Sequence, residues 1–219
     1  MIVLDENQNS SATWKTVEEA INDRYSLNIS GLIGKGIDAF KENAGNYVLF
    51  TLIVIAINVA LGLIPILGSL ASLVITPPLN AGYIFVAMKI HRGEEVTFNN
   101  FFDGFKAPFG NLIILGLVSS ILTGLGVLFC ILPGIWLAVS WVIAAPMMLF
   151  IKSEFWDAME ASRKVIGVNF WGWLGFLIVA GLGALLFSVI TCGLGTLIAA
   201  PVFSLAIFHA FLQIMEKQS

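Results

Sequence analysis

Charge is what this sequence has least of. Asp, Glu, Lys and Arg make up 11% of its 219 residues, where a water-soluble domain carries roughly 25%. With 58% hydrophobic residues and a mean hydropathy of +0.92, the composition is that of a membrane protein rather than a soluble domain. The net charge of −3 supplies no basic patch, so nucleic acid is not an expected partner. Two cysteines and two histidines are too few for a spaced metal motif. No G-x-S-x-G elbow, H-E-x-x-H pair or phosphate-cradling loop occurs, and the Gly-rich pieces lie inside apolar runs. No catalytic residue, metal or cofactor is therefore assigned, and the expectation is a protein that is not an enzyme. The opening MIVLDENQNSSATW lacks a basic start, apolar core and cleavage site, so the first apolar span is the expected insertion signal.

What is abundant is apolar sequence in long runs. The charges stop at Tyr47 and resume at Lys89, which leaves room for two helices of about 20 residues, the length a ~30 Å hydrocarbon core requires. The pattern recurs twice more. Spans are expected at about 47–64, 69–90, 111–131, 134–151, 168–190 and 194–215, with breaks at IPILGS, ILPG and TCGLG. Six spans in three hairpins form a membrane domain over 30–219, behind a polar segment 1–29 whose first dozen residues are expected to be disordered. An amphipathic helix is expected near 13–25, capped by Thr13, with Trp14, Val17 and Ile21 on one face.

Each hairpin is preceded by an amphipathic stretch. The clearest follows Thr97, where Phe98, Phe101, Phe102, Phe105 and Phe109 share one face before Pro108 ends the helix. Such helices either sink into the headgroup region or pack on the spans from the water side.

The hairpins resemble one another. Odd spans open at Asn46, Asn111 and Asn169, and even spans carry VITPP, VIAAP and LIAAP; the asparagine-to-proline separations are 32, 35 and 32 residues. A threefold internal repeat is the expectation. Pro77, Pro78, Pro146 and Pro201 should kink the even spans, either to open a central cavity or to fit the repeats together. The asparagines read as helix N-caps or as ligand-facing groups.

All eleven Lys and Arg, and all fourteen Asp and Glu, fall on one side of this topology, and the three opposite turns have none. Short loops rich in Lys and Arg stay in the cytoplasm, so both termini are expected there. Within the spans, His209 is the lone ionisable candidate, and Asn58 and Asn80 could line a cavity with it or bond between helices, as Ser119, Ser120, Thr123 and Gln213 could. Cys130 and Cys192 each fall at a charge-free turn, where they could bridge in an oxidising compartment or remain small buried apolar residues.

The run from Ala145-Pro146 through Asp157-Ala158-Met159, Ser162 and Asn169-Phe170-Trp171, with FFDGFK at 101–106, resembles a family of bacterial integral membrane proteins. These are the YciC-like proteins, or the membrane domain associated with glycerophosphoryl diester phosphodiesterases. The resemblance covers about residues 30–215. It implies a six-span inner-membrane protein of largely unassigned role, with no residue of the soluble phosphodiesterase domain that some relatives carry. The expectation is an all-α membrane protein: six spans as three hairpin repeats, each preceded by a cytoplasmic amphipathic helix. Its role is expected to be a non-catalytic module organising a membrane lipid or a protein partner on the cytoplasmic face; the alternative is a carrier or channel for a neutral or lipidic solute.

Overall fold

The structure, a computed structural model, describes residues 14–106, 109–151 and 154–217. The expected cap at Thr13, the stop at Pro108, Lys152 and the polar first dozen residues lie outside them. Ten α-helices follow in order: α1 Val17–Asn22, α2 Ile29–Glu42, α3 Ala44–Gly62, α4 Pro65–His91, α5 Phe109–Phe129, α6 Ile131–Ser140, α7 Ala144–Phe150, α8 Phe155–Val168, α9 Phe170–Ile190 and α10 Thr196–Met215. A 3-10 helix, Phe98–Phe105, sits between α4 and α5. Six segments are long and apolar enough to cross a membrane, α6 and α7 together forming the fourth. The described chain is that of a multi-pass helical membrane protein.

The first helix is shorter than 13–25. Thr16 takes the cap: its hydroxyl accepts from Glu19 N (3.2 Å) while Glu19 Oε2 accepts from Thr16 N (2.7 Å), a reciprocal capping box. At the head of the first span, Asn43 stands between α2 and α3. Asn46, the expected opener, lies inside the first turn and donates to Asn43 Oδ1 at 2.8 Å. Asn111 also lies within its helix, α5. Asn169 does cap, accepting from Gly172 N at 3.2 Å.

The spans close into a ring. α3 packs on α4, α4 on α5, α5 on α6, α6 on α9, α9 on α10, and α10 returns to α3. The even spans are inner: 39–44% of their most apolar stretches is buried, against 11–17% for the odd ones. Small residues let the short helices come close. The 3-10 helix lies on α4, where Gly82 faces the Phe101 carbonyl and Gly104 faces the Pro78 carbonyl. Phe101 turns inward with no exposure, its ring centroid 4.7 Å from that of Phe50 and 5.1 Å from that of Tyr47, while Phe105 stays on the surface. The phenylalanine row is thus divided between core and surface, because a 3-10 helix turns faster than an α-helix. In the same manner α2 lies on α10, where a Cβ on Gly36 would stand 2.8 Å from the Val202 carbonyl.

Among the prolines, Pro146 has a visible consequence. The fourth span breaks at 141–143, and Val142, the residue whose carbonyl the Pro146 ring would crowd, lies in that break. α4 and α10 run through Pro77, Pro78 and Pro201 as single helices. Pro77 fits against Gly116 of α5, which is the shape-fitting role. The break leaves the Ser140 carbonyl to be satisfied from elsewhere, and Ser162 Oγ of α8, wholly buried, donates to it at 2.7 Å. Ser162→Ala orphans that carbonyl and is expected to cost about 1–3 kcal/mol. A lowered unfolding midpoint in detergent, with Ala161→Ser as an unaffected neighbour, checks it.

Candidate functional site

At the end of the bundle where the charges gather, α2, α4 and α10 line an open cavity of about 850 Å³. α2 contributes Lys35, Asp38 and Glu42, α4 contributes His91, and α10 contributes His209 and Gln213. Glu216 and Lys217 close the rim. Polar contacts tie this end together: His91 Nε2 lies 3.0 Å from Glu216 Oε1, and ion pairs join Lys217 Nζ to Glu19 at 3.4 Å and Lys89 Nζ to Glu94 at 2.9 Å. These contacts are solvent-reachable and contribute little each. The interior of the bundle is filled by side chains such as Tyr47, Phe50, Phe208 and Phe211, none more than 1% exposed.

The expected cavity residues separate. His209 lines the vestibule, whereas Asn58 and Asn80 are exposed away from it. Asn58 donates to its own helix at Val54 O (2.8 Å), and Ser119 does the same at Leu115 O (2.7 Å). The bond that does join two spans was not anticipated: Thr51 Oγ1 of α3 meets Tyr83 Oη of α4 at 2.8 Å. Cys130 and Cys192 are both free and exposed in this structure, so neither is the buried small residue considered above. Among the described residues no group of three His, Cys, Asp or Glu is placed to hold a metal ion.

Uncharacterised proteins of Mycobacterium bovis and Mycobacterium tuberculosis are similar to this chain, 27% identical over 168 residues, 75% of this chain and 50% of the relative. A second M. tuberculosis strain has one at 26% with the same coverage. The chain spans about half the length of the curated relatives it matches. No family model matches it. No solved structure matches it significantly. The chain therefore has bacterial relatives, themselves without an assigned role.

A second constellation lies beside the vestibule and meets it at Gln213. The stretch before α2 is folded against the bundle: Trp14 stacks on Phe150 (6.2 Å between centroids), Lys15 N donates to Met215 O (2.7 Å), and Gln213 Nε2 donates to Ser26 O (2.9 Å). Its anchor is Tyr25. The phenol donates to Val165 O at 2.8 Å and accepts from Trp173 Nε1 at 2.8 Å, and Asn169 Nδ2 donates to the Tyr25 carbonyl at 3.3 Å. Residues 14–27 thus belong to the packed body, although their composition reads as a polar appendage.

Burial pushes the Tyr25 phenol up from its ordinary value near 10 to about 12, with the Trp173 hydrogen bond pulling the other way. The folded state therefore holds this proton more tightly than the unfolded one. The resulting stability is whole below pH 10 and is lost as pH rises through about 12. Between these values Tyr25→Phe should show a flatter decline than the parent, checked by unfolding midpoints in detergent against pH.

Proposed function

We propose that the protein is a non-catalytic module of the bacterial inner membrane that holds a protein or lipid partner at a cytoplasmic vestibule. The carrying observation is the contrast along the bundle axis: a wide, charged mouth between α2, α4 and α10, above an interior packed with aromatic side chains. A ligand can enter from the charged end and meets a filled core. The one-sided Lys and Arg distribution supports a cytoplasmic position for that mouth and for both termini.

We read the body as three hairpin repeats, and one correspondence supports this better than the asparagine register did. Gly36, Gly104 and Ser162 each lie seven residues before an asparagine, Asn43, Asn111 and Asn169. Each rests on a backbone carbonyl of an even span, at Val202, Pro78 and Ser140 respectively. Asn43 and Asn169 share the same backbone, φ −143°, ψ 40° and φ −137°, ψ 51°. Each repeat's short helix then leans on the preceding hairpin, and the first leans on the last. The resemblance to YciC-like proteins fits this reading. A cavity lined by Asn58, Asn80 and His209 together would favour the carrier alternative; of the three, His209 lines the vestibule.

Photo-crosslinkers placed at Asp38 and Gln213 in living cells test the proposal. A discrete adduct at both positions, absent from Trp171 on the outer flank, is the expected result. No adduct at either position, or flux of a neutral solute into proteoliposomes above protein-free vesicles, overturns it.

A further inference from the structure

The three turns opposite the vestibule have properties that a water-exposed loop does not need. Their side chains are large and apolar: Leu63, Ile66, Leu128, Phe129, Ile190 and Leu194 are 70–85% exposed, individually 79%, 78%, 80%, 85%, 78% and 71%. No charged residue lies anywhere between Tyr47 and Met88, between Ala107 and Ile151, or between Val165 and Met215. Membrane proteins anchor both faces with Trp and Tyr. Of six Trp and three Tyr, Trp136 alone falls within ten residues of the helix breaks at 63–64, 130 and 191–195. These ends have neither charge nor an aromatic belt.

Length points the same way. α3, α5 and α9 have 19, 21 and 21 residues, about 28–32 Å at 1.5 Å per residue. α3 and α9 start at Asn43 and Asn169, directly after α2 and α8, at the level of the charged end. Spans of that length use up a ~30 Å hydrocarbon layer and leave nothing to cross the far headgroups.

The backbone supplies an independent observation. In hydrocarbon every amide must find its partner inside the protein. At the third turn every N–H from Thr191 to Ala199 donates to a protein oxygen, that of Gly195 to Thr191 Oγ1 at 2.6 Å. Gly193 N reaches Ser188 O (2.7 Å) and Cys192 N reaches Val189 O (3.1 Å), the paired bonds of a Schellman motif, with Cys192 at φ +53°. At the second turn Cys130 alone separates α5 from α6, and its N–H is bonded to Gly126 O at 3.0 Å. Pro65 and Pro133 stand in the first turns of α4 and α6, where a helix otherwise presents unpaired N–H groups.

We infer that the three hairpin turns end inside the far leaflet, in contact with lipid acyl chains, so that the protein presents no aqueous surface on that side. The inference rests on the spanning arrangement proposed above and extends it. Cys130 and Cys192 lie at the second and third of these turns.

These cysteines provide the test. The single-cysteine proteins Cys192→Ser and Cys130→Ser are labelled with bimane in detergent. They are reconstituted into phosphatidylethanolamine–phosphatidylglycerol vesicles with iodide on both sides. A cysteine-free background carrying Asp38→Cys or Ile121→Cys gives the vestibule and mid-span references. Loss of iodide quenching at Cys130 and Cys192 relative to Asp38→Cys, with strong quenching by acyl-chain nitroxide lipids, is the expected result. Iodide quenching at the turns but not at Ile121→Cys overturns the immersion alone. Quenching at Ile121→Cys as well removes the spanning arrangement beneath it. Shielding from both quenchers means that protein covers the turns, and that also overturns the inference.

Discussion

Leucine in place of Gly104 is expected to abolish recovery of folded protein, and Gly82→Leu to do the same. The two glycines form one seat. Gly104 of the 3-10 helix faces the Pro78 carbonyl of α4, and Gly82 of α4 faces the Phe101 carbonyl of the 3-10 helix. A Cβ at either position runs into backbone, which cannot rotate away as a side chain can. Separating the two elements would withdraw Phe101 from Phe50, Tyr47 and Tyr83, whose centroids lie 4.7, 5.1 and 6.4 Å away. Overpacking a core costs typically 1–3 kcal/mol, and removing a buried aromatic from its site about 3–5 kcal/mol. Together these approach the whole stability of a small domain, about 5–15 kcal/mol. Gly34→Leu is the control, since nothing stands within 4 Å of that position. Monodisperse yield after detergent extraction separates the two: near zero for Gly82 and Gly104, unchanged for Gly34.

The six spans were legible because burial in lipid is written in composition over some 20 consecutive residues, and no long-range pairing is needed to detect it. The breaks between them were legible only coarsely: TCGLG is a turn, whereas ILPG lies inside α6 and IPILGS lies inside α4 from Pro65 onward, because a proline is tolerated in the first turn of a helix. What hydropathy does not encode is azimuth, the direction a side chain takes around its helix. Asn58 and Asn80 were grouped with His209 because all three interrupt apolar runs, yet only His209 faces the vestibule. The vestibule itself needed the closure of α10 onto α2 and α3, which brings Lys35 and Asp38 to His209 and Gln213 across more than 170 residues of chain. No local pattern reports such a pairing. At the head of the first span the sequence offers two asparagines, Asn43 and Asn46, and Gly36, seven positions before the first of them, shows its role only when its carbonyl partner Val202 is known.

Trp173→Ala is expected to destabilise the protein by about 3–5 kcal/mol, the range for emptying a buried aromatic site. Trp173 has no exposure, packs edge-on to Phe176 (5.9 Å between centroids), and carries the indole N–H that holds Tyr25. The indole therefore serves two partners, the ring core beneath it and the segment before α2 above it. Trp173→Phe should retain most of the packing and lose the hydrogen bond, and Tyr25→Phe should lose that bond together with the one to Val165 O. Residues sharing a bond do not add: the double variant should fall short of the summed single effects by about 0.5–3 kcal/mol. Unfolding midpoints of the four proteins in one detergent give that coupling energy. Additive effects would mean that residues 14–27 lie on the bundle without being fastened to it. Coupling would mean that the polar segment before α2 fastens α8, α9 and α10 to one another.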